Sequence, residues 1–134
     1  MADVVYADRT DFARFGVQAS ATRNVPDASI DAALQAASAV LDSKFRARYQ
    51  LPLLEWDMSI RIACCRIAAL YVMGTRGFSQ DAGLDVQIKE MHDWAIDWAD
   101  GVERQRTHPH VVESPAPAPR YWFPQIASSA KRGW

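Results

Sequence analysis

From Ile30 onward, apolar side chains recur at steps of three and four residues, at Ile30, Leu34, Ala37, Leu41, Phe45 and Tyr49. That spacing gathers them on one face of an amphipathic helix. The pattern stops at Pro52, which has no amide hydrogen and drives Leu51 out of helical geometry, so residues 49–54 are expected to be extended or turning. Upstream, the chain predicts a short extended lead and a small helix, with Asp8 as cap, Asp11 three positions on, Phe12 and Phe15 as anchors and Gly16 as stop. A polar connection over 17–25 then leads to Pro26 and Asp27, with Asp27 expected to cap the second helix.

A third helix is expected from Met58 to Met73, capped by Asp57 and ended by Gly74 and Gly77. It is apolar almost all round, with only Arg61 and Arg66 clearly polar, so it has to be covered on most sides. A fourth is expected over 81–104, where Leu84, Ile88, Met91, Ala95, Trp98 and Val102 alternate steps of four and three in a heptad-like seam. Trp94 adds a second large ring one turn from Trp98, and Asp85, Lys89, Glu90, Asp93, Asp97 and Asp100 form the opposite, mostly acidic face. The resulting picture is all-α: a small four-helix, bundle-like body over residues 1–104.

Beyond Thr107 the pattern changes. Pro109, Pro115, Pro117, Pro119 and Pro124 exclude a helix and favour an extended C-terminal arm over 105–134. Tyr121, Trp122, Phe123, Ile126 and Trp134 lie in that arm, and leaving each in water would cost about 1.5–3 kcal/mol relative to burial. The arm is therefore expected to dock, on its own body or on another subunit.

The chain has 134 residues, enough for one domain with a modest core. Its hydrophobic share of 49% and charged share of 23% fit a folded domain rather than general disorder. Net charge is -1 but unevenly spread: residues 1–104 hold 11 Lys/Arg against 15 Asp/Glu, and residues 105–134 hold four against one. A basic tail on an acidic body suggests that the tail meets something acidic, such as a neighbouring copy. Cys64 and Cys65 are adjacent on a helix and point about a hundred degrees apart, so they are read as small core residues and not as a disulfide framework. The opening residues have no signal-peptide pattern, and the longest apolar run is far short of a membrane span, so the expectation is assembly in a cytoplasm.

A search for chemistry finds little. His92 has no ligand-spaced partner, and the His108/His110 pair lacks obvious third and fourth ligands for zinc. There is no glycine-rich phosphate loop, nucleophile elbow or metalloprotease motif, and no carboxylate sits in an apolar stretch that would raise its pKa. The expectation is a non-enzyme without metal or cofactor. Lys44, Arg46 and Arg48 cluster with Phe45 and Tyr49, but on alternating helix positions they could not all face one groove, which argues against sequence-specific DNA binding. Acidic walls would still suit a channel through which DNA slides.

Several stretches together resemble one family: D-F-A-R-F-G at 11–16, I-D-A-A-L-Q-A-A-S-A-V-L-D at 30–42, R-Y-Q-L-P-L at 48–53, R-I-A-C-C-R-I-A at 61–68 and the closing K-R-G-W at 131–134. They are similar to the Mu-like phage neck proteins, the head-tail connectors or head-completion adaptors of tailed phages. R-Y-Q-L-P-L is the most specific element, and R-Y-W-F-P-Q at 120–125 is bulkier and more proline-bound than the family pattern. The resemblance implies a helical subunit of a homo-oligomeric, commonly dodecameric ring in the virion neck, assembled in the host cytoplasm. The ring would sit beneath the portal protein, extend the DNA channel and give the next neck or tail protein a platform, with no membrane partner and no cofactor. The arm residues Tyr121, Trp122, Phe123, Ile126 and Trp134 are then candidate anchors on another protein, and Lys44, Arg46, Arg48, Lys131 and Arg132 candidate inter-subunit cations. Ring closure requires a heterologous interface, with acidic residues of the fourth helix or first loop expected to meet these cations. A competing reading is a stand-alone helical binding module that offers the arm as a ligand. An enzyme would instead require a deep polar pocket with converging titratable groups.

Overall fold

The apolar helix predicted at the middle of the chain is the element on which the other helices pack. In the computed structural model, which describes residues 4–17, 25–76 and 83–115, the order is α1 (Arg9–Phe15), α2 (Asp27–Phe45), β1 (Glu55–Trp56), α3 (Met58–Arg76), α4 (Gly83–Glu103) and β2 (Val111–Val112). Helix α3 packs against α1, α2 and α4. Ile60, Ala63, Cys64, Cys65, Ile67, Ala68, Ala69 and Met73 are fully buried along it. Alanines and cysteines at those positions let the neighbouring helices approach closely, while Ile60, Ile67 and Met73 fill the space between them. Both cysteines are free thiols, used as core residues. The body is mostly α-helical and bundle-like, as the periodicity predicted.

Helix α1 carries the expected capping box: the Asp11 amide donates to Asp8 at 2.8 Å, and the Asp8 amide donates to the Asp11 carboxylate at 3.2 Å. Phe12 is buried and Phe15 half-buried, and Gly16 closes the helix through its amide to the Phe12 carbonyl. Helix α2 corrects two expectations. Asp27 is not its cap; Pro26 occupies that position without a side-chain bond, and the Asp27 carboxylate pairs with Arg9 at 2.7 Å. A carboxylate in the first turn is favoured by the exposed helix amides wherever it points, so the same residue serves both ends of the contact. The helix also ends at Phe45, and residues 46–48 form a turn, through which the Tyr49 amide still reaches the Phe45 carbonyl at 2.7 Å. Ile30, Leu34, Ala37, Leu41 and Phe45 are buried as the spacing required.

Helix α3 runs through Gly74, which was expected to stop it. A helical glycine costs only about 1 kcal/mol relative to alanine, less than the burial of Val72 and Met73 beside it returns. Gly77 lies outside the described residues. The end of α4 is set by backbone geometry: Gln105 is left-handed at φ 63°, its amide donates to the Val102 carbonyl at 3.1 Å, and the Arg106 amide donates to the Gly101 carbonyl at 2.7 Å. This is a Schellman closure with glutamine where glycine is usual. Replacing Gln105 with glycine removes the left-handed penalty of an L side chain, partly offset by a more flexible unfolded chain, and is expected to raise stability by about 0.5–1 kcal/mol in urea titrations.

Two extended segments complete the body. Residues 4–7 are held between α2 and β1. The Tyr6 amide donates to Ser38 Oγ at 3.0 Å, Trp56 Nε1 donates to the Tyr6 carbonyl at 2.9 Å, and the Tyr6 hydroxyl donates to Asp42. The chain after α4 turns back along residues 50–57. Strand β2 pairs antiparallel with β1, Glu55 opposite Val112 and Trp56 opposite Val111, and the Leu54 amide extends the ladder to the Val112 carbonyl. Ser114 bonds the carbonyls of Gln50 and Pro52, and Glu113 accepts from the Gln50 amide. The Leu51–Pro52 peptide is cis. Thus the start of the proline-rich segment is extended, as expected, and lies on its own body. The expected all-α picture lacked this ribbon.

Candidate interaction surface

An open cleft of about 450 Å³ lies between the N-terminal lead, α1, α2 and α3, lined by Val5, Asp8, Arg9, Asp31, Leu34 and Arg61 among others. Its cations already have partners. Arg9 bridges Asp27 and Asp31 at 2.7 and 3.2 Å, and Arg61 meets Asp11 at 3.3 Å. Among the described residues no three His, Cys, Asp or Glu side chains stand close enough to hold a metal ion. His92 lies 3.2 Å from Asp93, while the His108 ring and the His110 backbone amide serve separate tasks.

Those tasks lie at the end of the body where α2 and α4 both finish. Lys44 reaches Asp100 at 2.6 Å, and that hydrogen bond is the main reason its ammonium is held above its ordinary pKa. The fourth-helix acid that Lys44 meets therefore belongs to the same chain, because α2 and α4 pack side by side and bring their last turns together. Arg48, half-buried, donates to the Val102 carbonyl at 3.3 Å, stacks over Tyr49 at 5.4 Å and places Nη2 2.8 Å from His108 Nδ1. An arginine only donates, so His108 Nδ1 is the acceptor. Arg46 points out and is exposed. Of the described cations among those expected at an interface, Lys44 and Arg48 thus have partners within their own chain, and Arg46 is exposed.

Asp57 fastens the other end of the tail. Its Oδ1 accepts from the Ser59 and Ile60 amides and the Ser59 hydroxyl, capping α3, while Oδ2 accepts from the His110 amide at 2.9 Å. Burial pushes this carboxyl upward, but the bonds from Ser59, His110 and Ile60 together outweigh it and hold the pKa below its ordinary value. Asp57→Ala is expected to cost about 1–2 kcal/mol, through the lost cap and an unpaired His110 amide, and to increase hydrogen exchange at His110.

Large apolar side chains stand out elsewhere on the surface. Leu54 and Met58 flank the ribbon and are 57% and 49% exposed, and Val112 projects from β2. On the α3–α4 flank, Trp94 is 47% exposed with the Arg66 guanidinium 4.5 Å from its ring, and Tyr71 is exposed on α3. Glu90, Asp93 and Asp97 are exposed on the outer face of α4, as expected. The arm anchors Tyr121, Trp122, Phe123, Ile126 and Trp134, and the cations Lys131 and Arg132, lie outside the described residues. Sequence reasoning did not find the ribbon apolar group, since Val112 lies far along the chain from Leu54 and Met58; only the return of the tail unites Leu54 with Val112.

These features define a class: a small, mostly helical body with charged side chains gathered where α2 and α4 finish and several exposed apolar side chains, with no helix among the described residues long and apolar enough to cross a membrane. Within that class, residues 6–120 match the family model described as Bacteriophage Mu, Gp36, and the chain belongs to that family. The match takes in all four helices and the ribbon, and it bears out the Mu-like phage resemblance. No curated protein matches the chain.

Proposed function

We infer that the protein is a structural component of the phage neck, a head-tail connector whose copies form a ring beneath the portal, extend the DNA channel and offer the tail its platform. The observation that carries this reading is family membership across residues 6–120, which includes both the helical body and the returning tail. Exposed Leu54, Met58, Tyr71 and Trp94 on so small a body are what a subunit that packs against others would present. The arm residues 121–126 and Trp134 would reach the portal or a neighbouring copy, adding aromatic area to that contact.

The test is genetic and structural. A phage carrying a disrupted copy of this gene should yield DNA-filled heads and separate tails, restored to whole particles by supplying the protein. Tailed, infectious particles from the disrupted phage would overturn the reading, as would failure of the purified chain to bind an isolated portal ring.

A further inference from the structure

The outer face of α4 leaves Trp94 47% exposed even with the Arg66 guanidinium 4.5 Å from its ring. Glu90 and Asp97 stand one turn to either side of Trp94 on the same helix face, are exposed, and meet no cation among the described residues. Asp93 is matched by Lys89 at 2.9 Å. Carboxylates therefore outnumber cations around the ring, with Glu90, Asp93 and Asp97 against Lys89 and Arg66. Residues 116–134 have the opposite sign. They contain Arg120, Lys131 and Arg132, no Asp or Glu, and large rings close to each cation, at Tyr121, Trp122, Phe123 and Trp134. The last described residues of the tail lie nearby. The Ser114 amide donates to the Gln50 carbonyl at 3.1 Å, and Phe45, just upstream of Gln50, has its ring 6.4 Å from Trp98, one turn of α4 from Trp94.

We propose that this face of α4 is the docking surface for the chain's own residues 120–134, with Trp94 as the apolar anchor and Glu90 and Asp97 as counter-charges for Arg120, Lys131 and Arg132. Three features select that occupant. First, charge and apolar character match together: an exposed tryptophan between two unpaired carboxylates fits a segment whose cations stand beside rings, and repels a phosphate. Second, the span fits. As a flexible link, the stretch from Pro115 to positions 120–134 reaches about 12–25 Å. One turn of α4, about 5 Å, separates Trp94 from the Trp98 ring that Phe45 meets near the start of that link. Such a tether presents the segment to its own body at an effective concentration of about a millimolar, above that of another copy in dilute solution. Third, the competing apolar surface lies behind the departing tail. His110 bonds Asp57 and Ser114 bonds Gln50, so β2 runs antiparallel to β1 and the chain leaves heading away from Leu54 and Met58. The inference does not rest on the connector reading; in an assembly, the segment would first have to leave α4.

The experiment follows trypsin cleavage after Arg120, Lys131 and Arg132 by mass spectrometry, in the full chain and in a free peptide of residues 116–134. The full chain should be cut at least about tenfold more slowly than the peptide, because cleavage follows the undocked fraction. E90Q/D97Q, at two exposed positions, should raise the rate about threefold, the loss expected of two exposed charge contacts. Trp94→Ala should return it to about the peptide's rate, as loss of a central aromatic anchor would. Raised salt should speed cleavage of the wild-type chain, and circular dichroism should be the same for all variants. Equal rates in the wild-type chain and the peptide, or no acceleration in E90Q/D97Q, would overturn the proposal. So would release by L54S/M58Q instead of Trp94→Ala, since the segment would then lie on the ribbon. Protection that grows with protein concentration would also overturn it, because another copy would then hold the segment.

Discussion

Phe45→Ala is expected to lower the free energy of unfolding by about 3–5 kcal/mol, a large part of the roughly 5–15 kcal/mol that a domain of this size has in total. Phe45 is fully buried at the last position of α2, where its ring meets Tyr6 at 5.8 Å, Tyr49 at 5.9 Å and Trp98 at 6.4 Å, each edge-on. It therefore joins the N-terminal lead, the exit of α2 and helix α4 at one point. Truncation leaves a cavity among three rings that cannot all move inward, because Tyr6 is tied to Ser38 and Asp42 and Trp98 is fixed in its helix. Phe45→Leu should cost well under half as much, since most of the volume is kept. Urea titrations read by tryptophan fluorescence decide the matter, and a loss below about 1 kcal/mol for the alanine variant would show that the site collapses without penalty.

Stability is expected to fall steeply above about pH 9. Burial pushes the Cys64 thiol up from 9.0 to about 11, with the Ser38 hydroxyl pulling slightly the other way. Burial raises the Cys65 thiol further, and Tyr6 is raised by burial and then by its bond to Asp42. In the unfolded chain the thiols lose their protons near pH 9, while the folded chain keeps them. The unfolded state then binds fewer protons, so stability is fully present below pH 9 and is lost as pH rises toward the folded values. Each thiol contributes a slope of up to about 1.4 kcal/mol per pH unit, and Tyr6 adds its own above about pH 10. The double variant C64A/C65A should lose the part of the slope that begins near pH 9 while keeping the part due to Tyr6. Denaturant midpoints measured from pH 7 to pH 11 under reducing conditions test this, and parallel curves for the two proteins would refute it.

Much of the body could be read from residue spacing. Ile30, Leu34, Ala37, Leu41 and Phe45 had to share a face because an α-helix has a fixed pitch, and the near-continuous apolar run of α3 had to lie at the centre because no smaller share of its surface could be left wet. Asp8 and Asp57 could be assigned as caps because the bonds they make are local. Phage family membership was likewise legible in short motifs, R-Y-Q-L-P-L above all. Tertiary contacts decided the rest. Whether Asp27 capped a helix or met Arg9, whether α3 stopped at Gly74, and where the tail went all depended on which distant group came within reach. The same holds for the basic stretch at 44–48. Its sequence determined that three cations would stand at the end of a helix, and only the packing of α2 beside α4 assigned Lys44 to Asp100 and Arg48 to the Val102 carbonyl, leaving Arg46 exposed. Helical periodicity and capping act within a few residues, whereas ion pairing and exposure depend on neighbours that the fold brings from some fifty positions away.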